Sequence, residues 1–76
     1  MRWISLPSVF REQTIWGAWI GNWQYVMVYD SMSMLWSVSV KLLGHSERSR
    51  TDLGVEFKTR EEAIAAVEQH YKMGLQ

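Results

Sequence analysis

Apolar and polar residues alternate most strictly from Leu35 to Leu42. There Trp36, Val38, Val40 and Leu42 fall on one side, and Ser37, Ser39 and Lys41 on the other. A period of two over a run of this length predicts a half-buried strand. Trp23 to Tyr29 is a second strand, and Gly21-Asn22 before it is a good two-residue hairpin turn, which makes Thr14 to Ile20 the preceding strand. Asp30-Ser31-Met32-Ser33 joins the second of these strands to Leu35. Gly44 to Asp52 reads as a polar loop, and Leu53 to Phe57 as a short final strand. The period then changes. Ala63, Ile64, Val67, His70 and Tyr71 recur at helical spacing and form one apolar stripe. Thr59 with Glu62 makes a capping box, Glu61 and Glu62 lie in the first turn, and Gly74 reads as the stop just past the end. The pattern predicts an α+β domain, with an antiparallel sheet of three to four strands and one C-terminal helix packed on one face. Met1 to Arg11, with Trp3, Ile4, Leu6, Val9 and Phe10, is too apolar for a free tail. It is expected to form an edge strand or to cover part of the sheet.

The pattern poses a problem of coverage. Between Trp23 and Tyr29, Val26 and Val28 fall on one face, while Trp23, Tyr25, Met27 and Tyr29 fall on the other. In the preceding strand Trp16, Ala18 and Ile20 oppose Ile15 and Trp19. One helix with a narrow stripe covers one face only. Three solutions follow from the residues: residues 1–11 cover the second face, an aromatic face is buried against a partner, or two copies pair through it. Surfaces rich in Trp, Tyr and Met mark protein interfaces. The aromatic candidates for partner contact are Trp19, Trp23, Tyr25 and Tyr29. The basic ones are Lys41, Arg48 and Arg50.

Size and charge narrow the function. At 76 residues the chain is one domain, spanning 1–76, and it buries only about 60% of the surface it exposes when unfolded. Eight basic residues balance eight acidic ones, which argues against a strongly electrostatic binder of nucleic acid or membranes. The absence of cysteine removes disulfides, thiolate metal sites and cysteine nucleophiles. The N-terminus lacks the continuous apolar run of a secretory signal, and Ile15 to Tyr29 is too short and too interrupted to cross a membrane. A soluble cytoplasmic protein with no membrane contact is the expectation.

Charge is also uneven along the chain. Asp30 is the sole charged residue from Gln13 to Val40, whereas Lys41 to Arg60 carries five basic and three acidic groups. Arg48 and Arg50 alternate with Ser46, Ser49 and Thr51. That arrangement suits phosphate contact from a hairpin tip or pairing with an acidic protein patch. His45, Glu47 and Asp52 share a loop but match no zinc or calcium spacing. His70 borders the helix stripe with no nucleophile aligned to it, and no phosphate loop or nucleophile elbow occurs. The sequence therefore predicts no catalytic residue, no metal, no cofactor and no enzyme.

The stretch Leu53-Gly54-Val55-Glu56-Phe57-Lys58-Thr59-Arg60-Glu61-Glu62-Ala63 resembles the final strand and capped helix of phage integrase arm-binding domains and plant AP2-type domains. That resemblance implies three strands followed by a helix, and contact with DNA through basic residues on the sheet. Residues 13–40 contain no Lys or Arg, which departs from the basic sheet of those families. In size, neutrality and strand-rich build, the chain also resembles in type the small accessory proteins of phages and mobile elements, anti-CRISPR proteins among them. This implies an inhibitor that binds a host nuclease or another host complex without doing chemistry. A non-enzymatic macromolecule-binding protein is the leading expectation, and a small sheet-type nucleic-acid-binding domain is the alternative.

Overall fold

The computed structural model describes residues 2–74. The chain forms five strands and then one helix: β1 Ile4–Leu6, β2 Gln13–Ile20, β3 Trp23–Asp30, β4 Leu35–Leu42, β5 Thr51–Phe57 and α1 Arg60–Gly74. The strands make a single antiparallel sheet in chain order. The α+β architecture matches the sequence pattern, but the sheet has one strand more than three to four. The extra strand is β1, held against β2 with Ile4 opposite Gly17 and Leu6 opposite Ile15. The segment before β2 thus extends the sheet at its edge and lays no second layer over it. The polar loop is also shorter than its composition suggests. It contains one 3₁₀ turn, Glu47–Ser49, and β5 starts at Thr51.

The turns follow from their residues. Gly21 adopts a φ of +57°, which the tight β2–β3 hairpin requires. Between β3 and β4 the Asp30 carboxylate accepts the Met32 amide at 2.9 Å, and the Asp30 carbonyl accepts the Met34 amide at 2.7 Å. Met34 takes the left-handed φ of +60° that closes the turn. The helix starts as its capping box predicts: Thr59 Oγ1 accepts the Glu62 amide at 3.2 Å. The reciprocal bond is displaced by one residue, because the Glu62 carboxylate accepts the Lys58 amide at 2.9 Å. Gly74 is the last residue of the helix and does not lie beyond it.

Alternation in register sorts every strand residue to one of two faces. Trp16, Ala18 and Ile20 share a face with Trp23, Tyr25 and Met27, and with Val38 and Val40. The helix crosses β4 and β5 on this side and lowers Ala63 and Val67 onto Tyr25, Met27, Val38 and Val40, which are all buried. Small helix residues fit against large sheet residues here, which lets the backbones approach while the aromatic rings fill the layer. Each buried ring removes on the order of 150–250 Å² from water, so covering this face hides the larger apolar area of the two. Trp3, just ahead of β1, packs onto the same core. Where β4 meets β5 the register slips near Val38. The Phe57 ring lies over Gly54, where any Cβ would collide with it.

Candidate functional site: the helix-free face of the sheet

The opposite face carries no layer. Alternation puts Ile4 and Leu6 of β1, Ile15 and Trp19 of β2, and Val26 and Val28 of β3 there together. Gly17 lies among them. The Leu6 and Trp19 side chains fold over it, 2.8 and 3.2 Å from where a Cβ would stand. Bare glycine thus lets two large side chains lie flat on the sheet. Trp19 remains 43% exposed and Ile4 48% exposed. The β4 side of the same face is polar, with Ser37, Ser39 and Lys41, and Asp52 of β5 stands opposite Ser39.

A charged cluster closes the corner where β3 starts and β4 ends. Arg50 turns in from the loop and lies across the sheet, donating from Nη2 to Gln24 Oε1 at 2.8 Å and from Nη1 to Ser39 Oγ at 3.2 Å. Its Nε donates to Glu47 Oε2 at 2.9 Å, and Lys41 Nζ reaches Glu47 Oε1 at 2.8 Å. Both cation side chains are largely covered, at 16% for Lys41 and 18% for Arg50, whereas Glu47 is 70% exposed. Hydrogen bonds from Arg50 and then Lys41 hold the Glu47 carboxyl down at about 2, well below its ordinary 4.5.

The seven residues singled out from sequence do not form one surface. Trp19, Lys41 and Arg50 share the helix-free face. Arg48 sits exposed on the 3₁₀ turn, with no ion pair among the described residues. Trp23, Tyr25 and Tyr29 lie on the helix side, which corrects the expectation of an open aromatic face bearing Trp23 and Tyr25. Tyr25 is completely buried under the helix, and its hydroxyl meets His70 Nδ1 at 2.9 Å. Burial raises its pKa above the ordinary 10.0, with Tyr71 adding to the effect, so the phenol keeps its proton, and the His70 tautomer sets which of the two groups donates. Trp23 packs edge-on to the His70 ring at 4.9 Å, and Tyr29 tilts against Trp36 at 4.8 Å. Arg50 is also not a free cation at a hairpin tip, since all three guanidinium nitrogens are engaged.

Gln24 escaped sequence reasoning, because it lies 26 residues from Arg50 and meets it only through strand register, and Glu47, three residues before Arg50, reads in the sequence as a loop residue and not as its partner. Ile4 and Leu6 were legible as apolar but not as part of this face. A concavity of about 320 Å³ opens on the helix side between Trp23, Leu42, His45, Thr51 and His70. The imidazole there is already engaged by Tyr25. Among the described residues no three acidic or imidazole groups gather as a metal site, and no helix is long and apolar enough to cross a membrane. The chain matches no family model, no curated protein and no solved structure.

Proposed function

We propose that this is a non-enzymatic binding protein that recognises a protein surface with the helix-free face of its sheet. In this reading Trp19 is the apolar anchor and the Arg50–Glu47–Lys41 cluster is the polar border. The protein acts as small inhibitors of larger complexes do, by occupying a surface without chemistry. One observation carries the reading: β2 and β3 are apolar on both faces, and the helix covers one of them. The exposed part of Trp19 amounts to roughly 100 Å², so burying it against a partner contributes about 2–3 kcal/mol. That is the scale of an interface hot spot.

A nucleic-acid reading draws support from Trp19 lying in the same sheet row as Gln24 and Lys41, since single strands stack bases on exposed aromatics in basic grooves. It is the weaker of the two, because Lys41 and Arg50 both spend their charge on Glu47, and Asp52 shares the face. The test is retention of partners from host lysate on immobilised wild type and on Trp19→Ala, with circular dichroism confirming that the variant is folded. The proposal expects a protein band that is lost with Trp19→Ala and little affected by salt. Equal retention by both proteins contradicts it. Loss of all binding on moving from low to physiological salt transfers the case to nucleic acid.

A further inference from the structure

We infer that, in the isolated protein, the helix-free face is occupied by a second copy of this chain, packed face to face about a two-fold axis that runs across the strands between Val26 and Val28. The inference rests on reading that face as a binding surface and adds the identity of one occupant.

An isologous contact requires a patch that complements itself. The face is divided lengthwise, mainly apolar over β1–β3 with Ile4, Leu6, Ile15, Trp19, Val26 and Val28, and mainly polar over β4–β5, where Ser37, Ser39, Lys41 and Asp52 outnumber Leu35. A two-fold axis parallel to the strands would lay the apolar half of one copy on the polar half of the other. An axis across the strands lays apolar on apolar and exchanges the two ends. Val26 then meets Val28 of the partner subunit.

The ends are also complementary. At the end where β3 starts, Lys41, Arg48 and Arg50 against Glu47 and Asp52 leave one positive charge (three minus two). At the end where β3 stops stands Asp30, in register with Gln13 and Leu35. Only its Oδ1 is taken, by the Met32 amide, among the described residues. Exchanging the ends sets Asp30 against the partner's Lys41 and the partner's Arg50, and the symmetry repeats the contact.

The size of the face sets the strength. Eight-residue strands across a five-strand width give a planar area of about 500 Å². Two such faces total about 1,000 Å², the small end of specific interfaces. Stacked sheets align at about −30°, so the two copies cross at a shallow angle. The resulting dimer forms and dissociates with concentration, and so yields the face to a tighter partner.

The experiment is sedimentation equilibrium on the full chain, from low micromolar to near-millimolar concentration. Wild type is expected to rise from 9.0 kDa towards twice that mass. Val26→Lys puts like charges on either side of the axis and is expected to stay monomeric throughout, with its thermal transition retained. Asp30→Asn keeps the oxygen that accepts the Met32 amide and removes the charge. It is expected to weaken the dimer at least several-fold and to flatten its salt dependence. A wild type that is monomeric at every concentration overturns the inference, as does a dimer that ignores Val26→Lys. Should Val26→Lys not fold, an unchanged dimer constant and salt slope in Asp30→Asn overturn it equally. A monomeric chain that still retains a lysate partner through Trp19 removes the second copy and leaves the proposed function standing.

Discussion

Truncating Tyr25 separates core from surface more sharply than any other single change. The ring is fully buried between α1 and the sheet. Its burial area, on the order of 150–250 Å² at about 25 cal/mol per Å², corresponds to roughly 4–6 kcal/mol. Measured aromatic-to-alanine substitutions in cores cost about 3–5 kcal/mol, and the lost bond to His70 adds about 1 kcal/mol. A domain of this length has a total stability of about 4–11 kcal/mol. Tyr25→Ala should therefore remove most of it and leave the chain largely unfolded at room temperature. Tyr25→Phe keeps the ring and loses only the hydroxyl, so it should cost about 1 kcal/mol, or roughly 4–8 °C in Tm.

Alkaline pH isolates the hydroxyl. The folded state holds the Tyr25 proton at a pH where the unfolded chain, with its pKa at 10.0, has begun to release it. The stabilisation is thus complete below pH 10 and is lost as pH rises towards the folded pKa. Urea unfolding of the three proteins at neutral pH and above pH 10 reads both effects, and the gap between wild type and Tyr25→Phe should narrow in alkali. If Tyr25→Ala remains folded with a loss under about 1 kcal/mol, the ring is not in the core and the assignment of the covered face is wrong.

Gly54→Ala should cost about 1–3 kcal/mol in urea unfolding, because the new methyl lands on the Phe57 ring and forces it from its place. Thr59→Ala should cost about 1 kcal/mol, because Thr59 Oγ1 caps the Glu62 amide. Glu47→Gln should alter the acid limb of the stability curve. A carboxyl held at about 2 when folded stabilises fully above its ordinary 4.5 and loses that contribution as pH falls towards 2. The variant should therefore show a shallower acid transition by thermal melts between pH 5 and 2.

The helix and the long strands were legible because their information is local. Thr59 and Glu62 stand three residues apart and meet through the backbone of a single turn. The alternation from Leu35 to Leu42 likewise reports one strand's own pleat. The covered face was not legible, because both faces of β2 and β3 are apolar and only the path of α1 across β4 and β5 decides between them. Tyr25, a sequence candidate for partner contact, therefore lies buried under the helix, and Trp19 lies on the opposite face. The strand β1 has three residues, too few to show a period, and it exists through pairing with β2. The role of Arg50 depends on Gln24, which is brought within 2.8 Å only when β3 and β4 are in register. Such contacts across strands leave no spacing in the sequence to read.

Site-specific photocrosslinking tests most directly the claim that the helix-free face is the binding surface. A photoreactive amino acid replaces Trp19 in one protein, and exposed Ala65 on the helix in another. Both are irradiated in host lysate at equal concentration. A discrete protein adduct is expected from position 19 and none from position 65. Adducts from position 65 alone, or equal yields from both positions, would contradict it.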